Sequence, residues 1–385
     1  MTWRTRNLKT LSAVSFAQDA ASELLYPILP IFLTVTLGAP VVVVGMVEGL
    51  AEGAAAITKL IAGRISDGRA RKPIIFAGYL LAGLGKLLVA LAFIWPIALL
   101  GRVVDRLGKG IRGAPRDALL VMDIPVADRG KAIGFHRAAD TAGAVVGPLI
   151  GLLIIHFAHG SLRMALWIAL LPAALSVFLI KFVRETAPPK RSEVMRERGP
   201  LPAELKRLVL LMGIFGLVNF PDALILLHLH QIGFSTFAVV ALYATFNLSY
   251  ALLAYPLGAL TDHIPKHRIF AGGLLAFAIA YIGLSMTDSK LISILLLLVY
   301  GGFAACNDAV GKSWVAKIAP NDRQGSAQGL FQGVSGGAIL VAGIWAGLSW
   351  GAVGNLPLMI SGVVALVVAV ALWRDILKTG LSQKA

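Results

Sequence analysis

Long apolar segments alternate with short polar ones along almost the whole chain. A helix needs about 20 mostly apolar residues to cross the hydrocarbon core of a bilayer, and a run of about 18 with few charges is a candidate. This pattern predicts twelve membrane-spanning helices. They lie near residues 9–36, 41–62, 73–94, 97–120, 132–156, 162–183, 208–231, 235–257, 268–287, 290–315, 325–348 and 353–373. The sequence therefore predicts an all-α integral membrane protein.

Composition supports this picture and excludes several classes of protein. Hydrophobic residues make up 57% of the 385 residues and charged residues 14%, whereas soluble domains carry about 25% charged residues. An ordinary soluble enzyme domain and a disordered chain are therefore excluded. Cys306 is the single cysteine, so no internal disulfide can form. The first span carries Asp19 and Glu23, which is not the pattern of a cleaved signal peptide.

The basic residues in the short connections predict the orientation. Arg4, Arg6 and Lys9 precede the first span, and a second basic group, from Arg64 to Lys72, follows the second span. The alternate connections contain no Lys or Arg; they lie near 36–41, 94–97, 231–235 and 348–353. By the positive-inside rule, both termini are cytoplasmic. The formal charge of +15 then reflects topology, needs no nucleic-acid partner, and fits a multi-pass protein of the plasma membrane, expected to be a bacterial inner membrane.

A polar segment divides the predicted spans into two sets of six. It predicts an N-terminal six-helix bundle at 1–183, a cytoplasmic central loop at 184–207 and a C-terminal six-helix bundle at 208–385. The halves repeat each other, because Asp128-Arg129 after span 4 returns as Asp322-Arg323 after span 10. We therefore expect two pseudo-symmetric bundles, the arrangement of a transporter whose halves rock around a central site.

A second repeated segment carries a family resemblance. Gly63-x-x-x-Asp67-x-x-x-Arg71-Lys72 follows span 2, and a degenerate copy with Asp262 follows span 8 at nearly the same offset. The segment resembles the loop signature of the major facilitator superfamily, and with the 6+6 division the resemblance covers the whole chain. It implies that family's fold and a transport function. It also implies that these residues latch the ends of neighbouring helices, the alternative being positive-inside charges with a helix-capping aspartate.

Span 5 contains a second match. Gly143-x-x-x-Gly147-Pro148-x-x-Gly151 resembles the motif of the proton-coupled antiporter branches of the family, especially drug exporters. Small residues let two helix backbones approach closely, and proline removes one backbone hydrogen bond. The match favours efflux over uptake, although helix packing alone can explain the spacing.

Span 4 carries the most informative charges. Its charged residues share one face at about 100° per residue; they are Arg102, Asp105, Arg106, Lys109, Arg112, Arg116 and Asp117. A charge at the centre of a bilayer costs at least ~2.5–3.5 kcal/mol, so this stripe must face protein or water. In the resembling family helix 4 lines the central cavity, which implies that the stripe borders the translocation path.

Two interpretations of the stripe remain open. Arg102, Arg106, Lys109 and Arg112 are candidate ligands of an anionic substrate, because guanidinium groups bind carboxylate and phosphate through paired hydrogen bonds. They are alternatively ion-pair partners of buried acids in the same half. Arg116 and Asp117 are expected to serve as gate or loop-anchoring residues. Compared with the drug exporters, Lys109 replaces an amide and Arg112 a small residue, which disfavours hydrophobic cations as substrates.

Three acidic residues are candidates for proton coupling. Asp19 and Glu23 lie one helical turn apart in span 1, and Asp222 lies at comparable depth in span 7. A carboxyl group removed from water can bind and release a proton near neutral pH. Asp19 is favoured, and the alternative is a carboxylate held ionised by a span-4 arginine.

The C-terminal half offers mainly neutral contacts. Tyr243, Asn247, Tyr250 and Asn307 are candidate substrate-binding residues, which suggests an amphipathic substrate, unless they serve only in packing. No cofactor, metal site or enzymatic activity is expected. The sequence predicts a monomeric, proton-coupled exporter of an amphipathic or anionic small molecule. The alternatives are proton-coupled import of an organic anion and translocation of a lipid or lysolipid by the same fold.

Overall fold

The computed structural model describes residues 4–66, 70–121, 124–125, 129–185, 202–260, 264–307 and 324–373. Every regular element in these residues is helical. The chain forms two compact units. Unit 1 comprises Met1–Val43 and Leu50–Arg198, and unit 2 comprises Val44–Gly49 and Gly199–Ala385.

The helices of the first half are bounded as follows: α1 (Arg6–Leu25), α2 (Val41–Ser66), α3 (Arg71–Leu91), α4 (Trp95–Val121), α5 (Arg129–Phe157) and α6, in the two parts Leu162–Ile168 and Leu170–Leu179. α1 packs against α5 and α6, and α3 packs against α4 and α6. The contact between α3 and α4 is close because glycines face each other. A Cβ atom at position 101 would lie 2.6 Å from the carbonyl oxygen of Gly85.

The helices of the second half are α7, in the two segments Ala203–Gly216 and Asp222–Gln231, then α8 (Thr236–Leu260), α9 (Lys266–Met286), α10 (Lys290–Cys306), α11 (Gln324–Leu348) and α12 (Asn355–Trp373). α9 packs against α10 and α12, α8 against α10, and α7 against α11. Phe215, Phe277, Tyr281, Tyr300 and Phe303 form a buried aromatic cluster in this unit.

Length and apolar composition qualify seven helices of the described chain to cross a membrane: Val41–Lys59, Arg71–Leu91, Phe135–Phe157, Leu162–Phe182, Thr236–Leu253, His267–Met286 and Asn355–Trp373. Lys290–Cys306 and Gly333–Leu348 are shorter apolar helices. The prediction of an all-helical membrane protein is confirmed, and the count of twelve spans stays a prediction. α1 and α4 carry too many charged residues to qualify.

In the described chain, spans 1 and 7 are each interrupted near prolines. The first was expected as one helix over 9–36, but α1 ends at Leu25 and a π-helical turn follows at Phe32–Thr36. Span 7 was expected over 208–231, but it breaks between Gly216 and Asp222. In both places proline has no backbone N–H to donate, at Pro27 and Pro30 in the first case and at Pro221 in the second. α4, in contrast, continues through Pro115.

Candidate functional site

Along α4, from Arg102 to Asp117, the charged side chains have different partners, and the first group is a buried triad. Asp105 accepts from the ammonium of Lys86 on α3 at 2.7 Å and from Nη1 of Arg102 at 3.2 Å. All three side chains are at most 5% exposed. The guanidinium of Arg102 also lies over the ring of Tyr26, 5.5 Å from its centroid. Two cations around one carboxylate form a fixed structural cluster, which fits the ion-pair interpretation of Arg102.

Arg106, one turn further along α4, has an acidic partner on α2. Its Nη2 lies 3.4 Å from Oε1 of Glu52. The arginine side chain is 8% exposed and the glutamate side chain 39% exposed, so the pair lies at the edge of the buried region. Gly110 permits the close approach of α4 to α2, because a Cβ atom at this position would collide with the side chain of Thr58 on α2.

Lys109 and Arg112 differ from the other cations of α4. Lys109 is exposed, and no ion pair within 4 Å holds it among the described residues. Arg112 is buried, with its guanidinium 4.5 Å from the centroid of the Tyr79 ring. Its Nη1 has no hydrogen-bond partner in the described part of the chain. Lys109 and Arg112 therefore retain donors for a ligand.

A polar network lies where α1, α3, α4 and α5 meet. Arg116 donates from Nη2 to Asp117 at 2.9 Å and from Nη1 to the hydroxyl of Ser15 at 2.8 Å. The Ser15 hydroxyl lies 3.3 Å from the hydroxyl of Tyr79 and 3.5 Å from Nε2 of His136. Arg116 thus connects α4 to α1, whereas Asp117 is more than half exposed.

The predicted proton-coupling acids of α1 lie beside α5. Asp19 is half-buried, and within the described chain no hydrogen bond or ion pair holds its carboxylate. A Cβ atom at Gly143 would lie 2.5 Å from the carbonyl oxygen of Phe16, and one at Gly147 would lie 2.9 Å from the backbone nitrogen of Leu24. The antiporter-like glycines therefore contact the stretch of α1 that contains Asp19. Glu23 lies one turn further along the same helix and is also half-buried.

Pro148 and Gly151, the other residues of that motif, lie within α5, which is continuous from Arg129 to Phe157. Proline thus does not end the helix here. Gly151 is buried in unit 1.

Asp222 lies in unit 2, at the start of the second segment of α7. The hydroxyl of Tyr300 on α10 donates to its Oδ1 at 2.5 Å. Asp222, Tyr243 and Tyr300 line a small pocket together with apolar residues; these are Ile225, Leu226, Phe246 and Leu297. One predicted coupling residue and one predicted substrate-binding residue thus share a pocket.

The other candidates of unit 2 lie outside the residues that line this pocket. Asn247 is half-buried one turn along α8, and its Nδ2 has no hydrogen-bond partner in the described part of the chain. Tyr250 is half-buried on the same helix, and Asn307 follows the end of α10. These positions are compatible with neutral polar contacts to a ligand.

The loop signature is described only in part. Asp67 and Asp262 lie outside the described residues, and Gly63 falls in the last turns of α2. Arg71 and Lys72 begin α3, and their backbone N–H groups donate to the carboxylate of Glu185. The ammonium of Lys72 donates to the carbonyl oxygens of Lys181 and Val183, at 3.1 and 2.7 Å. The basic end of the signature therefore holds the chain that follows α6.

Sequence reasoning missed several of these partners. In the sequence, Glu185 is one residue of a polar segment, and nothing there marks it as the carboxylate that caps the N-terminus of α3. Tyr300 gives no signal in the sequence, because a single tyrosine among aliphatic residues forms no pattern of its own. Ser15 and Tyr79 join the network of Arg116 only through the packing of α1 on α3 and α4. Among the described residues, no three His, Cys, Asp or Glu side chains gather as a metal site.

Sequence comparisons identify the family. A profile of the Major Facilitator Superfamily matches residues 11–241 and 208–384. An uncharacterised MFS-type transporter of Methanocaldococcus jannaschii is 32% identical over 372 residues, which cover 94% of this chain and 93% of the relative. The multidrug resistance protein MdtH of Proteus mirabilis is 27% identical over 317 residues, covering 79% and 77% of the two chains.

Solved structures share the fold. A variant of the nucleoside transporter NupG matches with a TM-score of 0.81 at 14% identity, covering 96% of this chain and 99% of that one. The human organic anion transporter MFSD10 matches with a TM-score of 0.68 at 19% identity, covering 97% and 100%. These likenesses show the fold alone, and the sequence profile shows the family. The chain belongs to the major facilitator superfamily and is a multi-pass membrane transporter of that family.

Proposed function

We propose that the protein exports an amphipathic or anionic small molecule in exchange for protons, by alternating access. The observation that carries the proposal is the packing of the antiporter-like motif on α1. Gly143 and Gly147 bring the backbone of α5 against the stretch of α1 that contains Asp19. Small residues at such a contact let two helix backbones meet closely, so a shift between α1 and α5 would change the surroundings of the carboxyl group.

Asp19 is the group that we assign to the proton. It is half-buried, and within the described chain its carboxylate makes no ion pair within 4 Å. A carboxyl group can then alternate between a protonated form in a dry environment and an ionised form near a cation. Glu23, one turn away, is a second carboxyl group of the same site.

Lys109 and Arg112 are the residues that we assign to the acidic group of the substrate. The structure pairs Arg102 with Asp105 and Arg106 with Glu52, so these arginines are assigned to structure instead. An exposed ammonium and a guanidinium with an unused donor can both bind a carboxylate or phosphate.

The arrangement in the membrane is part of the proposal. Both termini and the loop 184–207 would be cytoplasmic, and bundles 1–183 and 208–385 would alternate access in a bacterial inner membrane. Arg71, Lys72, Arg116 and Asp117 would then lie toward the cytoplasmic side, where a latch or gate acts. The name of one relative, the multidrug resistance protein MdtH, supports export, because removing a compound from the cell is one way to resist it.

Everted membrane vesicles with an acidified lumen test the direction of coupling. Organic anions and amphipathic compounds are added outside, and lumenal pH is followed with a fluorescent dye. An exporter of the proposed kind releases protons from the lumen when its substrate is added. A compound that enters together with protons would contradict exchange and support import by symport.

The variant Asp19→Asn tests the assignment of the proton. Asparagine cannot ionise, so substrate-induced proton release is expected to fall to the level of vesicles that lack the protein. Asp288→Asn is the matched control, because Asp288 is an exposed acid in the connection between α9 and α10 and is expected to leave release unchanged. Full proton release in Asp19→Asn would remove this residue from the coupling role.

A further inference from the structure

Three chain segments meet at one end of unit 1. The side chain of Asn7, at the start of α1, donates to the carbonyl oxygen of Arg184 at 2.8 Å and accepts from the Arg184 backbone N–H at 2.9 Å. The segment that contains Arg184 also accepts from α3, because the ammonium of Lys72 donates to the carbonyl oxygen of Val183 at 2.7 Å. These hydrogen bonds hold residues 4–9, 71–72 and 181–185 together as one surface, which we call the basic surface of unit 1.

The basic surface carries a large excess of positive charge. Its three segments contain seven basic side chains and one acidic side chain, a formal charge of +6; the basic ones are Arg4, Arg6, Lys9, Arg71, Lys72, Lys181 and Arg184. The acid is Glu185, which caps the start of α3. All of the basic residues except Arg71 and Lys72 are exposed. Exposed positive charge at this density attracts a partner that carries negative charge.

Two exposed aromatic rings adjoin these cations. Phe178 and Phe182, at the end of α6, are 50% and 45% exposed, and their ring centroids lie 5.7 Å apart. The ammonium of Lys181 lies over the Phe178 ring, 5.0 Å from its centroid. The segment Leu162–Phe182 is long and apolar enough to cross a membrane. A lysine at the end of such a helix extends its ammonium to the head groups, while its stem and the neighbouring rings contact hydrocarbon.

We propose that the basic surface binds the head group of an anionic phospholipid, with Phe178 and Phe182 against its acyl chains. Lys181 and Arg184 supply an ammonium and a guanidinium, which both donate to phosphate oxygens. A nucleic acid or an acidic protein would complement the cations but would leave the two rings uncovered. A phospholipid has both a negative head group and an apolar tail, so it matches the whole surface.

This inference goes beyond the proposed function, because it concerns a lipid and not the transported molecule. It requires neither export nor a proton site at Asp19. With the predicted topology, the lipid belongs to the cytoplasmic leaflet. Its phosphate would bind the same segment that caps α3 and is hydrogen-bonded to α1, so we expect lipid binding to raise the unfolding midpoint of the protein.

Lipid titration of the purified full chain in an uncharged detergent tests the inference. Dioleoylphosphatidylglycerol and dioleoylphosphatidylcholine have the same acyl chains and differ in net charge, and glycerol 3-phosphate carries a phosphate without acyl chains. Apparent dissociation constants are obtained from the dependence of the unfolding midpoint on probe concentration. We expect phosphatidylglycerol to bind about tenfold more tightly than either of the other probes, because it alone complements both the cations and the rings.

Charge variants connect this preference to the basic surface. Lys181→Gln combined with Arg184→Gln is expected to weaken phosphatidylglycerol binding about thirtyfold, since each basic residue near an anionic membrane surface contributes about a fivefold gain. Lys206→Gln combined with Arg207→Gln is the matched control and is expected to retain the preference. These two residues are also exposed and lie near the start of α7, where Glu204 offsets part of their charge.

Four results would overturn the inference. Equal binding of the two phospholipids would show that the charge of the head group is not recognised. Equal binding of glycerol 3-phosphate and phosphatidylglycerol would indicate a site for a soluble phosphate compound. A preference that persists in Lys181→Gln with Arg184→Gln would exclude these residues, and an equal loss in both double variants would indicate a general attraction to basic residues. The first two comparisons use the unaltered protein, so they test the inference even if a variant does not fold.

Discussion

Individual charged side chains of α4 differ in what surrounds them, and this difference separates structural roles from ligand binding. Arg102 is buried against Asp105 and Tyr26, and Lys86 contributes a second cation from α3. Lys109, only two turns away, is exposed. Substitution of a buried ion-pair member is strongly destabilising, whereas an exposed charge is available to a ligand.

The buried triad predicts a large effect of a small substitution. Asp105→Asn keeps the shape of the side chain but leaves Lys86 and Arg102 without their shared counter-charge. Breaking one side of a buried ion pair typically costs about 3–5 kcal/mol, so the free energy of unfolding in detergent is expected to fall by that amount.

Asp117→Asn provides the comparison for this prediction. The Asp117 side chain is 56% exposed in its contact with Arg116, and an exposed ion pair contributes about 0–1 kcal/mol. Equal losses of stability in the two variants would show that Asp105 is not buried as described.

At the scale of helices, glycine positions fix how closely neighbours pack. The α1–α5 contact depends on Gly143 and Gly147, and the α3–α4 contact depends on Gly85 and Gly101. At each of these positions a side chain would meet the backbone of the neighbouring helix. Backbone atoms cannot move aside as a flexible side chain can, so the helices would have to separate.

Gly143→Ala is expected to destabilise the α1–α5 contact by about 1–3 kcal/mol and to reduce substrate-induced proton release, because the added methyl group meets the Phe16 carbonyl. Gly83→Ala on α3 is the control. Its Cβ atom would meet nothing within 4 Å, and alanine favours a helix by up to ~1 kcal/mol over glycine. Unfolding and vesicle assays of both variants measure the difference, and equal behaviour would contradict the packing described.

α3 is held at both of its ends by polar contacts. Glu185 accepts from the first backbone N–H groups, and Arg163 donates to the carbonyl oxygens of Ala90 and Ala92 at 3.0 and 2.9 Å. Unpaired groups at helix ends need such partners, and charged ones complement the helix dipole.

Glu185→Gln is expected to loosen the start of α3 at a cost of about 0.5–2 kcal/mol, since the capping charge is lost. Hydrogen exchange followed by mass spectrometry should show faster exchange in peptides that begin at Arg71, with peptides near Ala90 unchanged. Uniform acceleration along α3 would indicate global destabilisation instead of a lost cap.

The sequence predicts the helices of this bundle better than it predicts their partners. Helical periodicity predicts the charged face of α4 because it depends on one helix alone. The partners Lys86, Glu52 and Tyr79 come from other helices, and their choice depends on how each helix is rotated in the bundle, which local patterns do not encode. The breaks in spans 1 and 7 were predictable from Pro27, Pro30 and Pro221, but long apolar runs outweighed the prolines.

For the whole molecule, the predicted orientation is the property that most needs a direct test. Cys306 is the single cysteine and is buried, so Cys306→Ala provides a background free of thiols. One cysteine is then added to the Cys306→Ala variant. It is either Ser192→Cys, in the loop predicted to be cytoplasmic, or Ser289→Cys, in a connection predicted to face outward.

A membrane-impermeant maleimide added to intact cells is expected to label Ser289→Cys and to label Ser192→Cys only after the membrane is opened. The positive-inside charges are the physical reason, because basic loops stay on the cytoplasmic side. The reverse labelling pattern would invert the proposed topology, and with it the direction of transport.

The contact between α3 and α4 also has a consequence for biogenesis. α4 carries seven charged residues and would enter lipid poorly by itself, whereas α3 is apolar except for its basic start and Lys86. The two helices are joined by a short connection, meet at glycines and share the Lys86–Asp105 pair. We therefore expect the ribosome to deliver them to the translocon as one hairpin. Lys86 of α3 and Asp105 of α4 would then form their ion pair before either helix is released into the bilayer.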